Sequence, residues 1–134
     1  MGSNPIGTTM EDNRMVISFD FDDTLAEEIT YGAYGGQVTI AILEYVDRLR
    51  EYAALGCDCI ILTARTPTDV NRYDIDQFVK SFDLKVSKII YTSHEPKGPY
   101  AVAEGVKLHY DDSDEQIASV KSHGIPVVDS KLHR

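Results

Sequence analysis

Asp20, Asp22 and Thr24 occupy alternate positions directly after the apolar run MVISFD (15–20), and with Asp23, Glu27 and Glu28 they place five acidic side chains within nine positions. Carboxylates gathered at one point repel one another, and the arrangement is unfavourable unless a cation neutralises it. Oxygen-only donors select a hard ion, most simply Mg²⁺, which keeps waters and accepts one or two carboxylates plus a phosphate oxygen. Three other apolar runs are closed by polar residues: Thr63 ends CDCIILT (57–63), Lys97 lies in EPKGP (95–99) just past KVSKIIYT (85–92), and Asp111 and Asp112 end VKLHYDD (106–112). A hydroxyl and an ammonium beside a bound divalent ion make a positive pocket for a phosphoryl group. A carboxylate in that pocket can act as nucleophile through an aspartyl phosphate. A second one, two residues on, can protonate the leaving oxygen and later deprotonate the attacking water.

Such a site requires that the ends of separate elements converge. The apolar runs at 15–20, 57–63, 85–92, 106–112 and 125–130 have the length and β-branched content of strands. Between them, 38–56 spaces Ile42, Tyr45, Val46, Leu49 and Ala53 as a helical stripe closed by Gly56. A second helix is predicted over 67–83, a short one from about Lys97 to Glu104, and a last one over 113–124 with Ser113 as N-cap. Alternation of this kind predicts an α/β fold with a parallel sheet covered by helices on both faces. In such sheets ligands bind beyond the carboxyl ends of the strands, where these polar residues fall.

In order along the chain, DFDDTL (Asp20-x-Asp22-x-Thr24-Leu25), IILTAR (60–65), Lys97 and LHYDD (108–112) resemble the four motifs of the haloacid dehalogenase superfamily, over about residues 15 to 128. The resemblance implies a Rossmann-like three-layer sandwich with a central parallel sheet of about five strands. It implies a phosphomonoester hydrolase with Asp20 as nucleophile and Asp22 as general acid/base, the latter also lending its backbone carbonyl to Mg²⁺. Thr63 would bond the phosphoryl oxygens, and Lys97 would hold nucleophile and phosphate. Asp112 would ligate Mg²⁺ directly, with Asp111 supporting it directly or through water. Dehalogenase members lack the second Asp of the first motif, so Asp22 indicates phosphoryl chemistry. Ala26 to Gln37 offers 12 residues, enough for a hairpin flap, and the 31 residues between Arg65 and Lys97 are used by a helix and a strand, so no cap domain is expected. An open site of this type suits a phosphate on a small molecule or on a macromolecular end, or borrows a lid from a neighbouring subunit. LTARTPTD and HYDDSDEQI are also similar to the phosphatase half of phage-type polynucleotide kinase-phosphatases and to small nucleotidases. That narrower resemblance implies a nucleotide or nucleic-acid 3′-phosphate as substrate, with Arg65 and Arg72 contacting its phosphodiester or base; Thr24 is a further candidate for binding substrate.

Several residues carry competing readings. Lys88 rivals Lys97, but it lies within a strand, whereas the lysine of this motif begins a helix after a loop, as PKGPYAVAEG provides. Tyr31 and Tyr34 either cover the substrate or anchor the flap. His109, inside a strand, reads as a packed core residue. Cys57 and Cys59 have no partners for a zinc set and read as reduced thiols.

The 134 residues suffice for one domain, expected over 15–134 after a polar lead-in at 1–14. A net charge of −9 argues against extended binding to nucleic acid or anionic membrane. No apolar stretch approaches the ~20 residues of a membrane span, and the N-terminus lacks a basic-then-apolar leader, so a cytoplasmic location is expected. An oligomer is left open. Two other classes compete with the hydrolase: a receiver-type phospho-accepting domain and a non-catalytic phosphate-binding protein of the same fold. In receiver domains the acidic pair follows the first strand and the phosphorylated Asp lies mid-chain, and Asp22 and the late Asp111/Asp112 pair fit that order poorly.

Overall fold

The computed structural model describes residues 14–133, so the lead-in expected over 1–14 falls, but for Arg14, outside the described residues. Five strands form one parallel sheet: β1 (Val16–Phe19), β4 (Asp58–Thr63), β5 (Ile89–Tyr91), β6 (Val106–Asp111) and β7 (Val127–Asp129), in the order β5-β4-β1-β6-β7. β1 is central and pairs with both β4 and β6. Strand alternation sends Ile17, Phe19, Cys59, Ile61 and Tyr110 to one face, where they pack with Tyr45, Val46 and Leu49 of α1 (Leu43–Ala54) and with Ile75 and Phe78 of α2 (Asp69–Ser81). Ile60 and Leu62 point the other way, into a second core with Ala101 of α3 (Gly98–Ala103) and Val120 of α4 (Asp114–Lys121). The result is the three-layer α/β sandwich expected from the alternation of elements.

Helix starts follow local chemistry. Thr68 and Ser113 are extended N-caps whose hydroxyls accept from the amides of Asn71 (3.1 Å) and Gln116 (3.4 Å). The chain departs from the sequence-based reading after the first motif. Residues 38–41, expected as the first turn of a helix, belong instead to β3 (Gly36–Ala41), which pairs antiparallel with β2 (Ala26–Tyr31). Gly32 and Gly35, both at positive φ, close the reversal, and β-branched Val38, Thr39 and Ile40 favour the pleated partner strand over a helix. The helix therefore begins only at Leu43, and the flap is longer than expected. The strand predicted over 85–92 shortens to three residues, and a 3₁₀ turn (Ser130–His133) follows β7. Between β4 and α3 lie only α2 and β5, so no cap is inserted there.

Candidate active site

The carboxyl ends of β1, β4 and β6 open on one edge of the sheet. Asp20 lies one residue beyond β1, its amide donating to the Tyr110 carbonyl at 2.8 Å, so the strand pairing continues up to it. The chain then turns sharply: the Phe21 carbonyl accepts from Leu25 (3.0 Å) and Ala26 (3.1 Å), and Asp23 adopts a φ of 63°. Phe21 is buried edge-on to Phe78 and anchors the turn from the core side.

Lys97 precedes α3, and its ammonium is buried at 1% exposure between two carboxylates. Nζ donates to Asp20 Oδ1 at 2.8 Å and to Asp111 Oδ2 at 2.7 Å. Its backbone amide donates to Gln116 Oε1 at 2.8 Å, tying the loop to α4. Asp111 also accepts from His109 Nε2 (2.8 Å) and from the Ser113 amide (3.1 Å). Asp20, Asp111 and Asp112 each bring one carboxylate oxygen within 4.8 Å of the others. They line a cleft of about 280 Å³ with Asp22, Asp23, Ala64, His94, Lys97, Ser113, Glu115 and Gln116. A hollow of about 350 Å³ at the opposite strand ends, by Arg14, Asp58 and Lys85, holds no comparable cluster.

One ammonium cannot balance this set. Burial pushes the Asp20 carboxyl well above its ordinary value; Lys97 offsets this in part, and Asp111 and Asp112 add to the rise. Burial would raise Asp111 as well, but the His109 hydrogen bond and the Lys97 charge outweigh it and hold Asp111 well below the usual carboxylate range. Burial likewise works against the Lys97 ammonium, and the two carboxylates outweigh it. Asp111 and Lys97 form a close charged pair, and the unfavourable charge of the cluster weighs on Asp20. A divalent cation beside Asp20 and Asp112 would offset it. An all-oxygen donor set with surplus negative charge fits Mg²⁺.

The other sequence-derived candidates divide. Thr63 is fully buried at the end of β4, and its Oγ1 accepts from the Arg65 amide at 3.2 Å. Asp22 lines the same cleft but is not one of the three clustered carboxylates; it forms a two-point ion pair with Arg65, Nε to Oδ2 at 2.9 Å and Nη2 to Oδ1 at 2.7 Å. Arg65 is held further by Asn71 Oδ1 (3.2 Å) and lies over the Phe21 ring. Two of the expected substrate-binding residues take other partners. Thr24, expected to bind substrate, is fully buried and bonded through Oγ1 to Ser130 Oγ at 2.9 Å, because the turn after β1 directs it toward the C-terminal segment. Arg72, also expected to bind substrate, lies outside the cleft: one turn into α2, it donates to the Pro67 carbonyl and covers the Tyr91 ring.

Exposed Lys88 pairs with half-buried Glu104 at 2.9 Å, which leaves Lys97 as the lysine of the cluster. Tyr31 packs its ring over Gly36 in the flap, where a Cβ would lie 3.0 Å from the ring; Tyr34 is fully exposed. His109 was read as core. It is buried, but bonded to Asp111, and the signal for this was available: His109 stands two residues before Asp111 on one strand, as Ser18 stands two before Asp20 on another.

No protein-family model matches the sequence, and no curated protein matches it. Solved structures match its fold. A hypothetical protein from Xanthomonas campestris superposes with a TM-score of 0.57 at 16% identity, over 87% of this chain and 65% of that one. A 3-deoxy-D-manno-octulosonate 8-phosphate phosphatase from Moraxella catarrhalis, solved with magnesium, phosphate and the sugar acid, superposes with a TM-score of 0.57 at 17% identity, over 87% of this chain and 68% of that one. The chain thus spans about two thirds of the length of the structures it matches. What it shares with them is the architecture: a parallel five-stranded sheet with helices on both faces.

Proposed function

We propose that the chain is a Mg²⁺-dependent phosphomonoester hydrolase that works through an aspartyl phosphate on Asp20. The observation that carries this reading is the buried Lys97 ammonium bridging Asp20 and Asp111, with an Asp112 oxygen in range of the same point. Asp20 and Asp112 would hold the ion, which would neutralise their charge and polarise the phosphoryl group. Lys97 orients Asp20 and offers its third proton to a phosphoryl oxygen, and the Thr63 hydroxyl, which accepts from Arg65, has its own proton to donate there. Asp20 attacks phosphorus, the ester bond breaks, and the leaving oxygen takes a proton from Asp22. Water then attacks the phosphoryl group, giving its proton to the Asp22 carboxylate, and Asp20 is released with inorganic phosphate. Arg65 engages both carboxylate oxygens of Asp22, and Asp22 leaves that pair to serve the leaving oxygen.

The phosphorylated substrate is proposed to be a small phosphomonoester. A nucleotide or nucleic-acid 3′-phosphate would be contacted by Arg65 and Arg72. Arg65 is engaged by Asp22 and Arg72 lies outside the cleft, so a nucleic-acid end is the less favoured arm of a substrate panel. No helix of the described residues is long and apolar enough to cross a membrane; a cytoplasmic location is proposed with the activity. Hydrolysis of an aryl phosphate and of a panel of sugar phosphates, nucleotides and 3′-phosphorylated oligonucleotides tests the reading. Turnover should need Mg²⁺, stop with EDTA, and be lost in a folded Asp20→Asn variant. Full activity in that variant would overturn the mechanism, and no turnover of any phosphomonoester would overturn the function.

A further inference from the structure

Ser18 and His109 are register partners on the adjacent strands β1 and β6, and both are fully buried. Their strand neighbours Ile17, Phe19 and Tyr110 point into the core beneath α1 and α2, so alternation turns Ser18 and His109 toward the other face. On that face β4 places Ile60 and Leu62 in an apolar core, whereas Ser18 and His109 form a polar pair. His109 Nδ1 lies 2.7 Å from Ser18 Oγ, and Nε2 lies 2.8 Å from Asp111 Oδ2. An ionised carboxylate only accepts, so the Nε2 proton must be present; in the neutral ring Nδ1 then accepts from the Ser18 hydroxyl. Ser18, whose hydroxyl can donate, is matched to that tautomer and holds the ring from its other side.

These bonds continue a single buried line: Ser18 to His109, His109 to Asp111, Lys97 to Asp111, and Lys97 to Asp20. Asp111 takes three donors in all, since the Ser113 amide occupies Oδ1. Lys97 lies between Asp111 and Asp20 and donates to both. Two apolar side chains would fill the Ser18 and His109 positions without desolvating a hydroxyl and an imidazole. Such a pair stabilises the fold little, but it can fix the orientation of a carboxylate, as partners of this kind do behind metal ligands and catalytic bases.

Resting on the hydrolase reading above, we propose that His109, its ring held by Ser18, is a positioning residue that locks Asp111 in the orientation from which Lys97 is held against Asp20. It touches no substrate. It keeps Asp111 turned to the lysine, leaving Asp20 and Asp112 to the cation.

Steady-state kinetics of His109→Met, His109→Gln and Ser18→Ala, on whichever phosphomonoester the wild type turns over, test this. Met fills similar space with no donor, while the Gln amide can put an N–H near the place of Nε2. His109→Met should lower kcat about 10- to 100-fold, the range typical of lost orienting partners, with KM changed less than about twofold. His109→Gln should recover most of kcat, and Ser18→Ala should fall between them. A purely structural histidine would lower melting temperature in both His109 variants without this ordering. Nitrogen-15 NMR of the wild-type imidazole supplies a readout independent of turnover and should show the proton on Nε2. A folded His109→Met variant with wild-type kcat, Gln and Met variants equally impaired, or a neutral ring protonated on Nδ1 would each overturn the proposal. A wild type without phosphatase activity, but with the Nε2 proton present, would instead overturn the hydrolase reading and leave the buried line of hydrogen bonds standing.

Discussion

Replacing Lys97 by Met would remove the single cation from a buried group of carboxylates while nearly preserving volume. Nζ is 2.8 Å from Asp20 and 2.7 Å from Asp111, and all three side chains are almost fully buried. Deleting one partner of such a pair typically costs about 3–5 kcal/mol, because the charge left behind stays buried and uncompensated. For a domain of this size that corresponds to roughly 10–20 °C in melting temperature. The sign of the pH dependence follows from the groups that remain. Without Lys97 the Asp20 carboxyl, already raised by burial, rises further. A carboxyl raised in the folded state binds its proton more tightly there than in the unfolded chain. Its contribution is therefore complete below the unfolded value near 4 and is lost as pH climbs through the folded one. The variant should thus be least stable near neutral pH, gain stability on mild acidification, and regain part of the loss when Mg²⁺ is added. Urea denaturation at several pH values, with and without Mg²⁺, reads all three. A loss under about 1 kcal/mol that neither pH nor Mg²⁺ alters would refute the electrostatic account of the cluster.

Lys88 gives the contrasting control: its pair with Glu104 is solvent-screened, so Lys88→Ala should leave both the urea midpoint and turnover close to wild type. Thr24→Val should cost about 1 kcal/mol in chemical denaturation by breaking the buried bond to Ser130, with kcat and KM close to wild type; a large rise in KM would restore Thr24 to the substrate site. Burial pushes the Cys59 thiol up to about 12, so in the folded state it resists ionisation. Its contribution to stability is complete below about 9 and falls as pH rises from there toward 12, so alkaline denaturation of Cys59→Ala should be shallower in that range. Cys57, half-buried, should react with a thiol reagent before unfolding and Cys59 only after it.

The sheet and its helices were legible because each signal is local. A run such as CDCIILT is too short and too β-branched for a helix, and Ser113 followed by Gln116 marks a helix start whatever surrounds it. The flap was the exception. Residues 38–41 fit the end of an amphipathic helix and a hairpin strand equally well, and the choice was made by Gly32 and Gly35 bringing Val38 opposite Ile29. A pairing across a turn leaves no periodic trace in either strand alone.

The same distinction runs through the site. Asp20, Thr63, Lys97 and Asp111 could be placed at one edge because every strand of a parallel sheet ends there, which is a consequence of topology. What each side chain bonds to depends on register and on the turn that follows the strand. Arg65 and Asp22 are 43 positions apart, and the tight turn at Phe21, with Asp23 in the left-handed region, is what aims one at the other. Ser18 meets His109 across 91 positions only because β1 and β6 pair in that one register; a shift of a single residue would turn His109 into the opposite core. Polar residues two positions before Asp20 and before Asp111 could have been noticed in the sequence as a repeated pattern. That they bond to each other, and so connect the two acids from behind, becomes evident only when the strands are set side by side.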